Sequence, residues 1–249
     1  MSSHLDSEMP VRRGTVTTLR RVATLTAVER DQLFQLLGEH FQGVERRQFD
    51  LDLDEKPWVF VVSDRETGAP VGFSTLMRLD TTVDGEPVVA FFSGDTVIRP
   101  EYANDRQFIR AIGQLLFSTA AELPESRVYF LLLTCTYRSY RFLPGFFREY
   151  YPRREQPTPV AIQQLMNALT RLKFPNEYDA TAGVVRPAHV TPVREDRVPQ
   201  PGRHESDPDV EFFLAANPGY AQGHFLVCLT PLGDDNLNPL GLAFFGRQR

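Results

Sequence analysis

The sequence predicts an α/β fold in which helices pack on a central sheet, and three observations carry that prediction. Residues 57–98 hold three β-patterned runs separated by turn residues. From residue 104 the apolar period changes to that of an amphipathic helix. The run Val128 to Leu133 beyond that helix is apolar throughout, as expected of a strand covered on both faces.

Taken in order, residues 1–15 read as a polar tail and Val16 to Leu25 as a short strand. Thr26 precedes apolar residues at 28, 33, 36 and 37, with Glu29 three residues on. That is capping-box spacing, in which two side chains satisfy otherwise exposed backbone N–H groups, and it predicts a helix over about 26–41. The charged stretch from Gly43 to Lys56 predicts a helix and loop on the substrate side. Trp58 to Val62, Val71 to Leu79 and Pro87 to Ile98 form a three-strand meander, turned at Asp64–Gly68 and at Asp84-Gly85. Gly94 inside the third strand predicts a bulge or a close backbone approach.

Phe108, Ile109, Ile112, Leu115, Leu116 and Ala120 share one face of the next helix, with Asn104 or Asp105 placed to cap it. Beyond the buried strand lies a segment rich in tyrosine, phenylalanine and arginine, Tyr137 to Tyr151. Pro159 suits the first position of a further helix whose apolar residues are Ile162, Leu165, Met166, Leu169 and Leu172. Residues 186–209 contain five prolines and read as a long loop or lid. Phe212 to Ala215 and Phe225 to Leu229 read as late strands. The organisation expected is therefore a tail at 1–15, a core at 16–151 and an extension at 152–249 that completes the sheet and the acceptor side.

The 249 residues, 42% hydrophobic and 24% charged, are ordinary globular material. A net charge of -5 gives no general attraction to nucleic acid or to anionic membranes, so neither is expected as a partner. Two cysteines, Cys135 and Cys228, are too few for a disulfide scaffold. The first eight residues lack a signal-peptide apolar run, and a cytoplasmic protein is expected. His204-Glu205-Ser206-Asp207 has no spaced partner motif, and no metal site is expected.

The stretch Gly94-Asp95-Thr96-Val97-Ile98-Arg99-Pro100-Glu101-Tyr102, set after a meander and before a helix, resembles the donor half of the GNAT acyltransferase superfamily. The order of elements over residues 16 to about 150 fits that resemblance. It implies a mixed, mostly antiparallel central sheet flanked by helices, here with extra C-terminal strands and a helix. It further implies an acyl-CoA or phosphopantetheine-linked thioester donor, from a small molecule or a carrier protein, and an amine acceptor. Val97 and Ile98 would then bond pantetheine through their backbone. The pyrophosphate would lie at Asn104, Arg106 and Gln107. The superfamily's glycine-rich turn is replaced by Ala103-Asn104-Asp105-Arg106-Gln107-Phe108, so either Arg106 or Arg110 meets the phosphates through side chains or the donor is a carrier-protein thioester whose phosphate lies elsewhere.

Amide-forming acyl transfer needs a base for the amine and an acid for the departing thiolate. Asp95, beside the predicted bulge, is the candidate base, weighed against a turn carboxylate that bonds nearby backbone. Tyr140, then Tyr137, are the candidate acids by resemblance, weighed against packing in an aromatic core. Cys135 is read as a small buried hydrophobe rather than a nucleophile. The reading is a GNAT-like N-acyltransferase. Its rival is a GNAT-like ligand-binding or interaction protein that has lost the pyrophosphate glycines. The extension serves either the acceptor side or a homodimer contact.

Overall fold

The computed structural model describes residues 14–83, 85–103, 105–188, 194 and 206–247. The expectations for the tail, Asp84, Asn104, His204, Glu205 and most of the 186–209 loop fall outside those residues.

One eight-stranded sheet organises the chain, in the order β1-β2-β3-β4-β5-β8-β7-β6. Its strands are β1 (Thr15–Arg21), β2 (Trp58–Asp64), β3 (Pro70–Val83), β4 (Glu86–Ile98), β5 (Arg127–Thr134), β6 (Tyr178–Asp179), β7 (Val184–Val185) and β8 (Phe225–Pro231). Only β4 and β5 run parallel; every other neighbouring pair is antiparallel. The mixed, mostly antiparallel sheet is thus present, and β8, from the extension, pairs with β5 along Tyr129–Thr134.

Side-chain alternation sends the strands' apolar residues to two cores. On one face, α1 (Ala27–Gly38) and α2 (Arg46–Asp54) cover Val59, Phe73 and Val97, while α6 (Val160–Lys173) covers Ala90, Phe92 and Leu131. On the other face lie α3 (Gln107–Ala121), α4 (Tyr137–Tyr140), α5 (Phe142–Phe146), α7 (Pro208–Ala216) and α8 (Pro239–Phe245). Their shared core is aromatic: Phe117, Phe146 and Phe245 pack with ring centroids 5.3 to 5.6 Å apart. Among the described residues no helix is long and apolar enough to cross a membrane.

Local chemistry explains the helix boundaries. α1 begins with the expected capping box, Thr26 accepting from the Glu29 N–H while Glu29 accepts from the Thr26 N–H. α6 begins one residue later than expected, with Pro159 in the cap position. One expectation is overturned: Phe212 to Ala215 is helix, not strand. Asp207 caps the N–H of Asp209 and Pro208 occupies the first turn, so a helix starts before the apolar run is reached. Val210 and Phe213, three residues apart, then face the core together.

Candidate functional site

The site starts from one glycine. β4 follows β5 from Val88 opposite Arg127 to Ser93 opposite Leu132, and there the parallel pairing ends. β4 nevertheless stays on β3 as far as Ile98 opposite Gly72, with a register shift between Ser74 and Leu76. The bulge predicted at Gly94 is therefore the point where the two central strands part. A Cβ at Gly94 would stand 2.4 Å from Thr75 Oγ1 and 2.9 Å from Lys56 Cε, so only hydrogen fits between them.

Two polar groups gather at this bulge. On the α3 face, Ser74 Oγ lies 2.9 Å from Ser93 Oγ and 2.8 Å from Thr96 Oγ1, and Thr96 donates to the Gly94 carbonyl at 3.2 Å. On the α1 face, the side chain of Lys56 is only 6% exposed. Its ammonium donates to the Asp52 carbonyl at 2.8 Å and lies 3.6 Å from Asp95 Oδ2. Asp95 keeps 35% of its side chain exposed, so the carboxylate faces solvent from a buried cationic support. Sequence reading singles out Asp95 but misses Lys56, which stands in a charged run without distinguishing spacing.

The two predicted backbone residues differ in role. Arg99 N–H bonds the Val71 carbonyl, so by two-residue alternation Val97 turns its backbone to β3 and Ile98 turns its own to the open edge. The Ile98 carbonyl is 2.8 Å from His40 Nε2, while His40 Nδ1 faces the Leu36 carbonyl at 3.0 Å. Glu39 holds Arg99 through two bonds of 2.7 and 2.8 Å. The end of α1 therefore clamps the end of β4, a contact 58 residues distant in sequence. Nothing in local pattern could have signalled it.

At the start of α3, the carboxylate of Asp105 accepts from Thr15 N–H at 2.7 Å, Thr15 Oγ1 at 2.8 Å and Gln107 N–H at 3.0 Å. The Gln107 N–H, expected to meet an anion, is thus taken by the chain itself. The side chains of Arg106, Gln107 and Arg110 instead line a hollow of about 300 Å³ against Ala243 and Phe244 of α8. Arg110 Nε is buried there without an acceptor. Asn104 lies outside the described residues.

Tyr137 and Tyr140 sit in the aromatic core, 2% and 0% exposed. Tyr140 packs between Phe212, Phe213 and Tyr150, and its hydroxyl donates to the Pro152 carbonyl at 3.0 Å. Burial pushes its pKa far above the ordinary phenol range. Burial likewise raises the Cys135 thiol to about 11, which leaves almost no thiolate at neutral pH.

No family model matches the chain, and no curated protein matches it. Among solved structures it is similar to a probable N-acyltransferase from Enterococcus faecalis V583, at 15% identity and a TM-score of 0.40 over 54% of this chain and 33% of that one. It is also similar to the GNAT-family N-acetyltransferase YhbS from Escherichia coli in complex with CoA, at 17% identity and a TM-score of 0.38 over 54% of this chain and 69% of that one. A third is Saccharomyces cerevisiae N-myristoyltransferase with myristoyl-CoA, at 15% identity and a TM-score of 0.37 over 52% of this chain. The chain spans 33% of the Enterococcus protein and 31% of the yeast enzyme.

Proposed function

We propose that the chain is an acyltransferase that draws its acyl group from a thioester donor laid along the open edge of β4 and passes it to an amine. The observation that carries this reading is the parting of β4 from β5 after Ser93, with the arginine-lined hollow at the start of the next helix. An extended, amide-bearing pantetheine arm suits an open strand edge, because its amides can bond backbone as an added strand would. Arg106 and Arg110 supply fixed positive charge for the donor's phosphates in place of helix N–H groups.

In this reading Asp95 takes the proton from the incoming ammonium. The amine nitrogen then attacks the thioester carbonyl, the C–N bond forms, and the C–S bond breaks with its electron pair leaving on sulfur. As the amide forms the nitrogen sheds its second proton, which passes through water at the mouth to the thiolate, a competent leaving group at an ordinary thiol pKa of about 8.5. Tyr140 is committed to Pro152 as the chain stands, so Asp95 carries the acid–base work in this proposal.

The test is calorimetric titration of the purified chain with acetyl-CoA, longer acyl-CoAs and phosphopantetheine. Micromolar binding of an acyl-CoA is expected, weakened about tenfold in Arg106→Ala and in Arg110→Ala, the loss of roughly one charge-assisted bond. Binding of phosphopantetheine alone would indicate a carrier-protein donor. Absence of binding by every thioester would overturn the proposal, and binding without thiol release on any of a panel of amines would leave only a ligand-binding role.

A further inference from the structure

A second recess lies at the other end of β5. It has a volume of about 680 Å³ and is walled by the start of β5, the 148–156 segment and the residues after β8. Five residues of strand, about 16 Å, separate Arg127 here from Leu132, where β4 and β5 part. The recess is therefore distinct from the proposed donor site, and its ligand chemistry is independent of that reading.

Three arginines, Arg127, Arg148 and Arg153, line this recess. Among the described residues, two of them, Arg148 and Arg153, donate only to main-chain carbonyls. Arg148 donates Nε to the Leu237 carbonyl, and Arg153 donates one Nη to the Arg148 carbonyl. Arg153 Nε is buried without an acceptor. Arg127, by contrast, is ion-paired with Glu86, Nε to Oε2 at 3.0 Å, and donates an Nη to the Val83 carbonyl at 3.3 Å. The neighbouring Arg154 is also paired, with both Glu155 and Asp209. Arginines whose acceptors are neutral carbonyls retain their charge and most of their N–H donors, a demand that an oxyanion meets bidentately.

Two carboxylates, Glu149 and Asp235, also line the recess, and Glu149 accepts from the Tyr151 hydroxyl at 2.7 Å. They lower the net positive charge, which disfavours a polyphosphate and suits a ligand with a single oxyanion group. We propose that this recess binds a small organic or inorganic oxyanion, a carboxylate or a single phosphate, held by Arg148 and Arg153.

The experiment is titration of the full chain at low salt with succinate, glutamate and inorganic phosphate, each to about 10 mM, where even a millimolar site saturates. At least one is expected to bind with a dissociation constant below about 1 mM and to raise the unfolding temperature. Arg153→Gln and Arg148→Gln should each weaken that binding about tenfold or more, whereas Arg47→Ala, at an exposed arginine of α2, should leave it unchanged. Arg153→Lys, which keeps the charge and loses the planar fork, should weaken it less than Arg153→Gln. The relative strength of the carboxylates and phosphate identifies the source. No binding by any of the three, or equal weakening by Arg47→Ala, would overturn the proposal.

Discussion

Asp64 shows how much one carboxylate can hold in place. Its Oδ1 accepts from the Glu66 N–H, the Thr67 N–H and the Thr67 hydroxyl, which makes the β2–β3 turn. Its Oδ2 accepts from Tyr102 at 2.8 Å, which ties down the turn between β4 and α3. These bonds, the Thr67 N–H foremost, hold the carboxyl at about 2, below its ordinary 3.8. A depressed folded pKa stabilises above the unfolded value and is lost as pH falls through the folded one. Denaturant midpoints should therefore fall between pH 4 and pH 2, with a shallower fall in Asp64→Asn; an equal slope in the two proteins would contradict this assignment. The turn role of Asp64 is legible in the sequence. Its bond to Tyr102, 38 residues away, is not, because no local pattern encodes a pairing between two loops. The same holds for Lys56 beneath Asp95 and for His40 on Ile98.

Among the elements, β4 is specified most completely by its neighbours. Gly72 of β3 faces it where the edge opens, and a Cβ there would lie 2.6 Å from the Val97 carbonyl oxygen and 3.0 Å from Ile98 Cα. Backbone cannot step aside as a flexible side chain can. Gly72→Ala should cost about 1–3 kcal/mol in chemical denaturation. Gly38, at the end of α1 with nothing within 4 Å of the added methyl, is the control. Gly38→Ala should be neutral or stabilising by about 0.5–1 kcal/mol, and a comparable loss at both positions would count against the close approach. The strands of the meander and the main helices are readable because each carries its own period of two or 3.6 residues. α7 escapes sequence reading because Phe212 to Ala215 is too short and too apolar to reveal a period. The start signal that decides it, Asp207-Pro208, lies in a proline-rich stretch that reads as loop.

At the scale of the molecule, the extension enters the sheet through β8, and this placement buries one of the two thiols. Cys228, on β8, is fully buried, and desolvation drives its thiol far upward, while Cys135 rises to about 11. A chromogenic disulfide reagent at pH 7 should therefore label the native chain slowly, with Cys228 reacting only as fast as the molecule unfolds. Rapid native labelling of Cys228 would show that β8 opens independently of the rest.

The sequence by itself determined the class of fold, the meander, the bulge at Gly94 and the capped start of α1. Those depend on residues within one turn or one strand of each other, where period, cap and glycine speak directly. Only the tertiary structure decided which backbone groups of β4 remain open, which side chain supports Asp95, that Asp105 occupies the N–H of α3, and that Tyr140 is bound to Pro152. Each of these is a competition for a hydrogen-bond donor or for volume among segments distant in sequence. Such a competition is settled by the packing of the whole chain rather than by any segment of it.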